Sequence, residues 1–363
     1  MTLTAQLPSE TNTKGQFVRQ AYTIRDRFSA DGSSGFPAVA GRYHLYVSLA
    51  CPWAHRAVIV RHLLGLEDVI SLSVVDPIRD ERGWAFRDGP GYSHDPVNNF
   101  QFLSEAYLQT DPNYTGRYTV PCIWDRETQR LVTNNFPDIT IDFETQFTAY
   151  HRPAAPDLYP VALRDEIDAV NVVIYEDINN GVYRAGFASS QEAYEEAVDA
   201  LFARFDWLEE RLGRQRYLVG NQLTEADIRL FTTLARFDMV YSTHFKCNLR
   251  RLIDYPNLWA YARDLYQRPG FGDTVNADHI KRHYYMTHEK LNPTRIVPKG
   301  PIIDGQPRTG ASTWANTAMP VSTNLLIRDA HPTEYEAMRA LTRCASGRWG
   351  GCRRTICSRI DPP

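Results

Sequence analysis

The chain has 363 residues, 43% of them hydrophobic and 23% charged, with a formal net charge of −3. This is enough apolar material for one large or two ordinary domains, and the near balance of charge leaves no basic field to hold a nucleic acid or an anionic membrane surface. No apolar run approaches the roughly 20 residues of a spanning helix, and the opening M-T-L-T-A-Q-L-P-S-E-T-N-T lacks the basic and apolar regions of a signal peptide, so a cytoplasmic protein acting on small molecules is expected.

Residues 1–40 are polar, with Gly and Ser in D-G-S-S-G-F-P, and read as an extension that wraps or flanks a domain. Tyr43–Ser48 reads as a strand. Pro52–Leu66 reads as a helix, with Val58, Ile59, Leu63 and Leu66 near helical spacing, and Val69–Val75 as a second strand. A polar insertion rich in Gly, Pro and Asn runs from Arg79 to Asn113. T-V-P-C-I-W-D and R-L-V-T-N, separated by R-E-T-Q, then read as a hairpin, and the run after Pro137 opens another helix. That order describes an α/β, thioredoxin-like domain over residues 41–150.

From Leu158 onward the strand signals fade. Arg164–Asn179, Gln191–Leu212, Thr224–Val240 and Asn257–Gln267 carry apolar positions at helical spacing, which predicts an all-helical domain over residues 151–300. In L-T-E-A-D-I, Thr224 is placed to cap the third of these helices with Asp227 as its reciprocal partner. Residues 301–363 are low in pattern, and the basic R-C-A-S-G-R-W-G-G-C-R-R reads as a disordered tail.

The six cysteines, Cys51, Cys122, Cys247, Cys344, Cys352 and Cys357, include no C-x-x-C pair. In a reducing compartment they are expected as free thiols, and the last three, with no histidine among them, make a poor metal site. Cys51 differs from the rest by position. In L-A-C-P-W-A-H-R it stands between strand and helix, where backbone N–H groups and the positive end of the helix dipole favour a thiolate. Pro52 suits the first helical turn, whose N–H has no intrahelical partner, and Arg56 is expected to add positive charge. The bland alternative is a small buried hydrophobe at a strand end. With no second cysteine two or three residues on, the resolving thiol has to come from outside, which implies a low-molecular-weight thiol as cosubstrate and no tightly bound cofactor. Thr119-Val120-Pro121 fits the same picture, since a cis proline opening a strand would leave the backbone of Val120 free to bind a peptide-like thiol.

Taken together, C-P-W-A-H-R, G-W-A-F (83–86), T-V-P with I-W-D (119–125), N-N-G-V-Y-R-A-G-F-A (179–188) and H-Y-Y-M-T-H…N-P-T-R-I-V-P-K-G-P (283–301) resemble the glutathionyl-hydroquinone reductases, the Xi class of glutathione transferases. The resemblance implies a homodimer of thioredoxin-like plus helical subunits that reductively removes a thiol from a hydroquinone conjugate. It implies that Cys51 attacks the thioether sulfur, that Tyr183 and Tyr285 are active-site phenols, and that Tyr284 and His283 shape the aromatic pocket. Trp84 matches the tryptophan that lies against the bound thiol, with Val120 and Pro121 on its backbone side.

The likeness breaks at two places. Where the family reads N-N-E-S, whose acid and hydroxyl hold the γ-glutamyl group, this chain has Asn134, Asn135, Phe136 and Pro137. Where the family reads L-R-x-x-Y, it has Leu103-Ser104-Glu105-Ala106-Tyr107. Asp138 is a candidate replacement acid, one helical position along and so differently aimed. Losing charged anchors weakens binding by more than about 1 kcal/mol per contact, so a thiol other than glutathione, such as the sugar-based mycothiol, is expected. A general thiol transferase or dehydroascorbate reductase using the same Cys51, and a non-catalytic scaffold, are the other readings that the sequence leaves open.

Overall fold

A computed structural model describes residues 10–301. Its sheet has four strands in the order β2-β1-β3-β4: β1 (Tyr43–Val47), β2 (Ser71–Val74), β3 (Cys122–Asp125) and β4 (Arg130–Thr133). β1 runs parallel to β2 and antiparallel to β3, and β3–β4 is the hairpin read from the sequence, with a register irregularity between Ile123 and Trp124. All five residues of β1 are buried, as befits an inner strand covered on both faces.

Helix α1 (Pro52–Leu64) crosses from β1 to β2. It stops two residues earlier than its apolar spacing suggests, because Gly65 takes a left-handed φ of 74° and closes the last turn with its own N–H. The insertion is less irregular than its composition implies. It contains α2 (Leu103–Thr110), where Leu103, Ala106 and Tyr107 form a buried i, i+3, i+4 stripe and the Glu105 carboxylate accepts the N–H groups of Gln101 and Phe102, each at 2.8 Å. Helix α3 (Phe136–Thr145) begins one residue before Pro137, which occupies its first turn.

The helical half is α4 (Arg164–Ile174), α5 (Gly181–Gly186), α6 (Gln191–Leu212), α7 (Glu225–Arg236), α8 (Pro256–Tyr266) and α9 (Ala277–Thr287). Two of the sequence-read helices change character near their ends: after α4 the chain widens into a π turn at Tyr175–Asn179, and after α7 into another at Phe237–Tyr241. Asp227 accepts the Thr224 N–H at 2.8 Å, the reciprocal half of the expected cap. Helix α9, missed in the sequence, is capped by Asn276, whose side chain accepts the His279 N–H at 2.9 Å.

The extension does more than flank. The Asp26 N–H donates to the Val132 carbonyl and Asn134 N–H to that of Ile24, so the segment covers the open edge of β4. Further upstream, Ser189 N–H donates to Gly15 O at 2.9 Å, and Phe17 packs on Phe187 of the helical half at 5.5 Å between ring centroids. Phe17, Phe28 and Phe36 all enter the apolar core, which is continuous across sheet and helices. The basic tail and its three cysteines lie outside the described residues.

Candidate active site

Cys51 is the N-cap of α1, in extended conformation (φ −77°, ψ 122°), with Pro52 next in the first turn. Its N–H donates to Ser48 O and its carbonyl accepts the His55 N–H, both at 3.0 Å, so strand end and helix start are stitched around the residue. The Val120–Pro121 bond is cis. The Val120 carbonyl accepts the Cys51 thiol at 3.4 Å, so this carbonyl, expected to be free, is engaged by the Cys51 side chain.

The electrostatics correct one expectation. The N–H groups of Ala54 and Trp53, with the guanidiniums of Arg236 and Arg19, all favour the thiolate, but desolvation is the larger effect and the thiol is pushed above its ordinary value. A helix N-terminus lowers a thiol only when burial does not outweigh it. Arg56 does interact electrostatically with Cys51, while its guanidinium lies over Trp53 and Phe136 at 4.7 and 5.3 Å and donates to Asn179 Oδ1 at 2.7 Å.

Arg236, at the end of α7, is a side chain of the candidate site that sequence reasoning missed. Fully buried, it donates from Nε to Ala50 O (2.9 Å), from Nη2 to Leu49 O (3.0 Å) and from Nη1 to Thr232 O (2.7 Å), and it meets His55 Nδ1 at 3.1 Å. The helical half thereby grips the two residues immediately before the sulfur. His55 is held neutral by burial and by Arg236, so Nδ1 accepts while Nε2–H donates to Thr274 Oγ1 at 2.8 Å. A signal was present: Arg236 follows Thr232 and Thr233 on a buried stripe of α7, where a charge needs a reason.

Tyr183, which interacts electrostatically with Cys51, opens a chain of phenols. Tyr183 OH meets Tyr284 OH at 2.5 Å, and Tyr284 OH meets Tyr241 OH at 3.0 Å. Burial raises all three hydroxyls, so they stay protonated donors at neutral pH. Tyr183 also packs on Trp53, which follows Cys51 by two residues, with ring centroids 6.0 Å apart. The hydroxyl of Tyr285 is not part of this chain: it bonds Thr243 Oγ1 and donates to Met239 O at 3.2 Å. The phenol paired with Tyr183 is therefore Tyr284. Trp84 stacks on the His283 ring (5.0 Å) and also meets the Arg79 guanidinium (5.4 Å), and His283 Nδ1–H donates to Pro77 O at 2.8 Å.

At the start of α3, Phe136 stacks on Trp53 at 4.5 Å, filling with carbon the position where an acid was expected from the resemblance. Asp138 does not substitute for it, because its carboxylate is tied to Arg27 (3.3 Å) and Asn135 Nδ2 (2.5 Å). Ser104 is buried, and Tyr107 anchors the cis-proline loop by donating to Thr119 O at 2.8 Å.

A cysteine at a strand–helix seam, facing a cis proline and backed by a helical domain, defines a glutathione transferase. Residues 50–146 match the family model of the glutathione S-transferase N-terminal domain, and residues 191–264 that of its C-terminal domain. The chain is 52% identical to glutathionyl-hydroquinone reductase YqjG of Escherichia coli over 81% of its own length and 91% of the relative's. Among solved structures, glutathione S-transferase Xi of Phanerochaete chrysosporium is similar at 50% identity and TM-score 0.79, covering 82% of this chain and 96% of that one. The glutathione-bound structure of YqjG is similar at 51% identity and TM-score 0.77, covering 79% and 96%. This chain belongs to the glutathionyl-hydroquinone reductases, the Xi class of glutathione transferases.

Proposed function

We propose that this protein is a thiol-dependent reductase that removes glutathione, or another low-molecular-weight thiol, from a hydroquinone conjugate. The relatives' names, with the glutathione seen in YqjG, support the reaction class. The observation that carries it to these residues is the hydrogen bond of the Cys51 thiol to the Val120 carbonyl, with Tyr183 in electrostatic range of the sulfur and its hydroxyl bonded to Tyr284, which in turn bonds Tyr241.

The thiol of Cys51 first loses its proton to solvent, helped by the Ala54 and Trp53 N–H groups and by Arg236. The thiolate attacks the sulfur of the aryl thioether; the new S–S bond forms as the aryl C–S bond breaks, and its electron pair leaves on the aromatic carbon. Tyr183 donates the proton that turns this carbon into C–H, and Tyr284 shares the charge left on its oxygen. A second thiol then attacks the mixed disulfide as thiolate, releasing a small disulfide and regenerating Cys51. Two electrons pass from two thiols to one aromatic carbon. Trp84 and the backbone at Val120 and Pro121 line the thiol's position, and His283 stacks on Trp84.

A homodimer in the cytoplasm belongs to the same reading. A two-chain mass in sedimentation is the expected result of that reading. The decisive experiment is turnover of aryl conjugates of glutathione and of mycothiol, together with the intact mass of the trapped adduct. Wild type should gain the mass of one thiol on Cys51, and Cys51→Ser should lose both adduct and turnover by at least about a thousandfold. Unchanged release by Cys51→Ser would end the proposal.

A further inference from the structure

The polar anchors absent from the start of α3 have a counterpart in the extension. A pocket is lined by Glu10, Arg19, Tyr22, Arg117, Thr119 and Asn134, among others. It adjoins the nucleophile: Thr119 is followed by Val120, whose carbonyl receives the Cys51 thiol, and the charge of Arg19 favours the Cys51 thiolate. Asn134 stands two residues before α3.

Four lining residues each keep one buried polar atom without a hydrogen-bond partner: Glu10 Oε1, Arg19 Nη2, Arg117 Nε and Asn134 Oδ1. The Glu10 side chain is 8% exposed, and Asn134 is 1% exposed. Each side chain is also fixed by its remaining atoms. Glu10 Oε2 pairs with Arg117 Nη1, Arg19 Nε donates to Asn180 Oδ1 at 3.0 Å, and Asn134 Nδ2 donates to Thr119 Oγ1 at 3.2 Å. Arg19 is further clamped over Trp53 and Tyr183, each at 5.0 Å. Buried polar groups are nearly always satisfied, so two orphan donors and two orphan acceptors gathered on rigid side chains in one pocket call for a partner that the chain itself does not supply, whether water or the polar atoms of a ligand that displaces it.

We propose that this pocket binds the polar head of the thiol cosubstrate, with Glu10 and Arg19 of the extension supplying the anchors that Phe136 and Pro137 do not. The inference rests on the reading of Cys51 as the thiol-accepting nucleophile. The head must both donate and accept at close range, as an α-amino-carboxylate does through its ammonium and carboxylate, and as neighbouring sugar hydroxyls do. The same orphans serve either source: donors of the head reach Glu10 Oε1 and Asn134 Oδ1, and its acceptors reach Arg19 Nη2 and Arg117 Nε.

The test is calorimetric titration of the reduced full-length protein with S-methylglutathione and with S-methylmycothiol, neither of which can react. One of the probes is expected to bind wild type, and its identity names the head. Glu10→Gln and Arg19→Gln should each weaken that probe about tenfold, the loss of one hydrogen bond to a charged group, while the ligand-free melting temperature of Glu10→Gln stays within a degree or two. Unchanged affinity in both variants overturns the proposal, as does a wild type that binds neither probe. Turnover of the conjugates by the same wild-type preparation separates a failed pocket from a failed nucleophile, since Cys51 chemistry without probe binding leaves the reductase reading standing.

Discussion

At the sulfur end of the site the active groups are delivered by regular structure. Cys51 caps a helix, Val120 enters a strand through a cis proline, and Arg236 and the tyrosines come from helices or the π turn that extends α7. At the thiol-head end the groups come from an irregular extension and a loop: Glu10 and Arg19 precede the first strand, Arg117 precedes the cis proline, and the start of α3 contributes an aromatic ring instead of an acid. The difference separates two demands. A reacting sulfur has to be held to a fraction of an ångström, which packed elements do well, whereas a thiol's head needs only complementary polar atoms and tolerates replacement of its anchors.

The comparison breaks most severely if the rigid end can be loosened without loss. Arg236→Met should remove the donors to Leu49 O and Ala50 O, leaving acceptors that cost about 1–3 kcal/mol apiece when unpaired. Melting should fall by several degrees, and turnover about a hundredfold through displacement of the sulfur loop. Arg236→Lys should rescue little, because an ammonium cannot reproduce the fork that spans these carbonyls and His55. Wild-type rates in both variants would show that the loop holds itself. A somewhat smaller effect sharpens the chemical assignment: Tyr183→Phe should slow reduction of the aryl conjugate by about a factor of 10–100 while leaving reduction of a preformed Cys51 mixed disulfide intact. Tyr285→Phe, whose hydroxyl is spent on Thr243 and Met239, should cost less. Equal losses in both tyrosine variants would return Tyr285 to the catalytic position that the resemblance implies.

Much of the rigid end is legible in the sequence because local rules write it. Pro after Cys marks the helix start, T-V-P marks the loop facing it, and apolar spacing places α1, α6 and α8 to within a residue or two. Arg236 escapes because its meaning depends on carbonyls 186 and 187 positions away. Helix α2 escapes because Gly, Pro and Asn around it mask an eight-residue stripe, and α9 because its run of His and Tyr has little apolar contrast. The loss of anchors at Phe136 and Pro137 is equally plain in the letters. That Asp138 is occupied by Arg27, and that Glu10 and Arg19 line a pocket beside Asn134, are facts of tertiary packing which no spacing rule encodes.

The smallest expected effect concerns the sulfur itself. Desolvation and the hydrogen bond to Val120 O favour the neutral thiol, while two N–H groups and the surrounding guanidiniums, Arg236 and Arg19 foremost, favour its anion. Because burial dominates, the thiolate fraction of the ligand-free protein at a given pH is lower than that of an unperturbed cysteine, and it keeps growing at pH values where a free thiol is already mostly ionised. Alkylation of Cys51 by iodoacetamide should therefore keep accelerating through pH 9 with no plateau near neutrality. Seating a thiol conjugate against the Val120 backbone displaces the proton's acceptor and leaves the N–H groups and Arg236 as the dominant partners, so protection against alkylation by a conjugate should be accompanied by faster mixed-disulfide formation at pH 7 than the free thiol's titration implies. A plateau below pH 7 in the ligand-free protein would mean that helix N-terminus and guanidiniums already outweigh burial, and the sulfur would then need no substrate to become reactive.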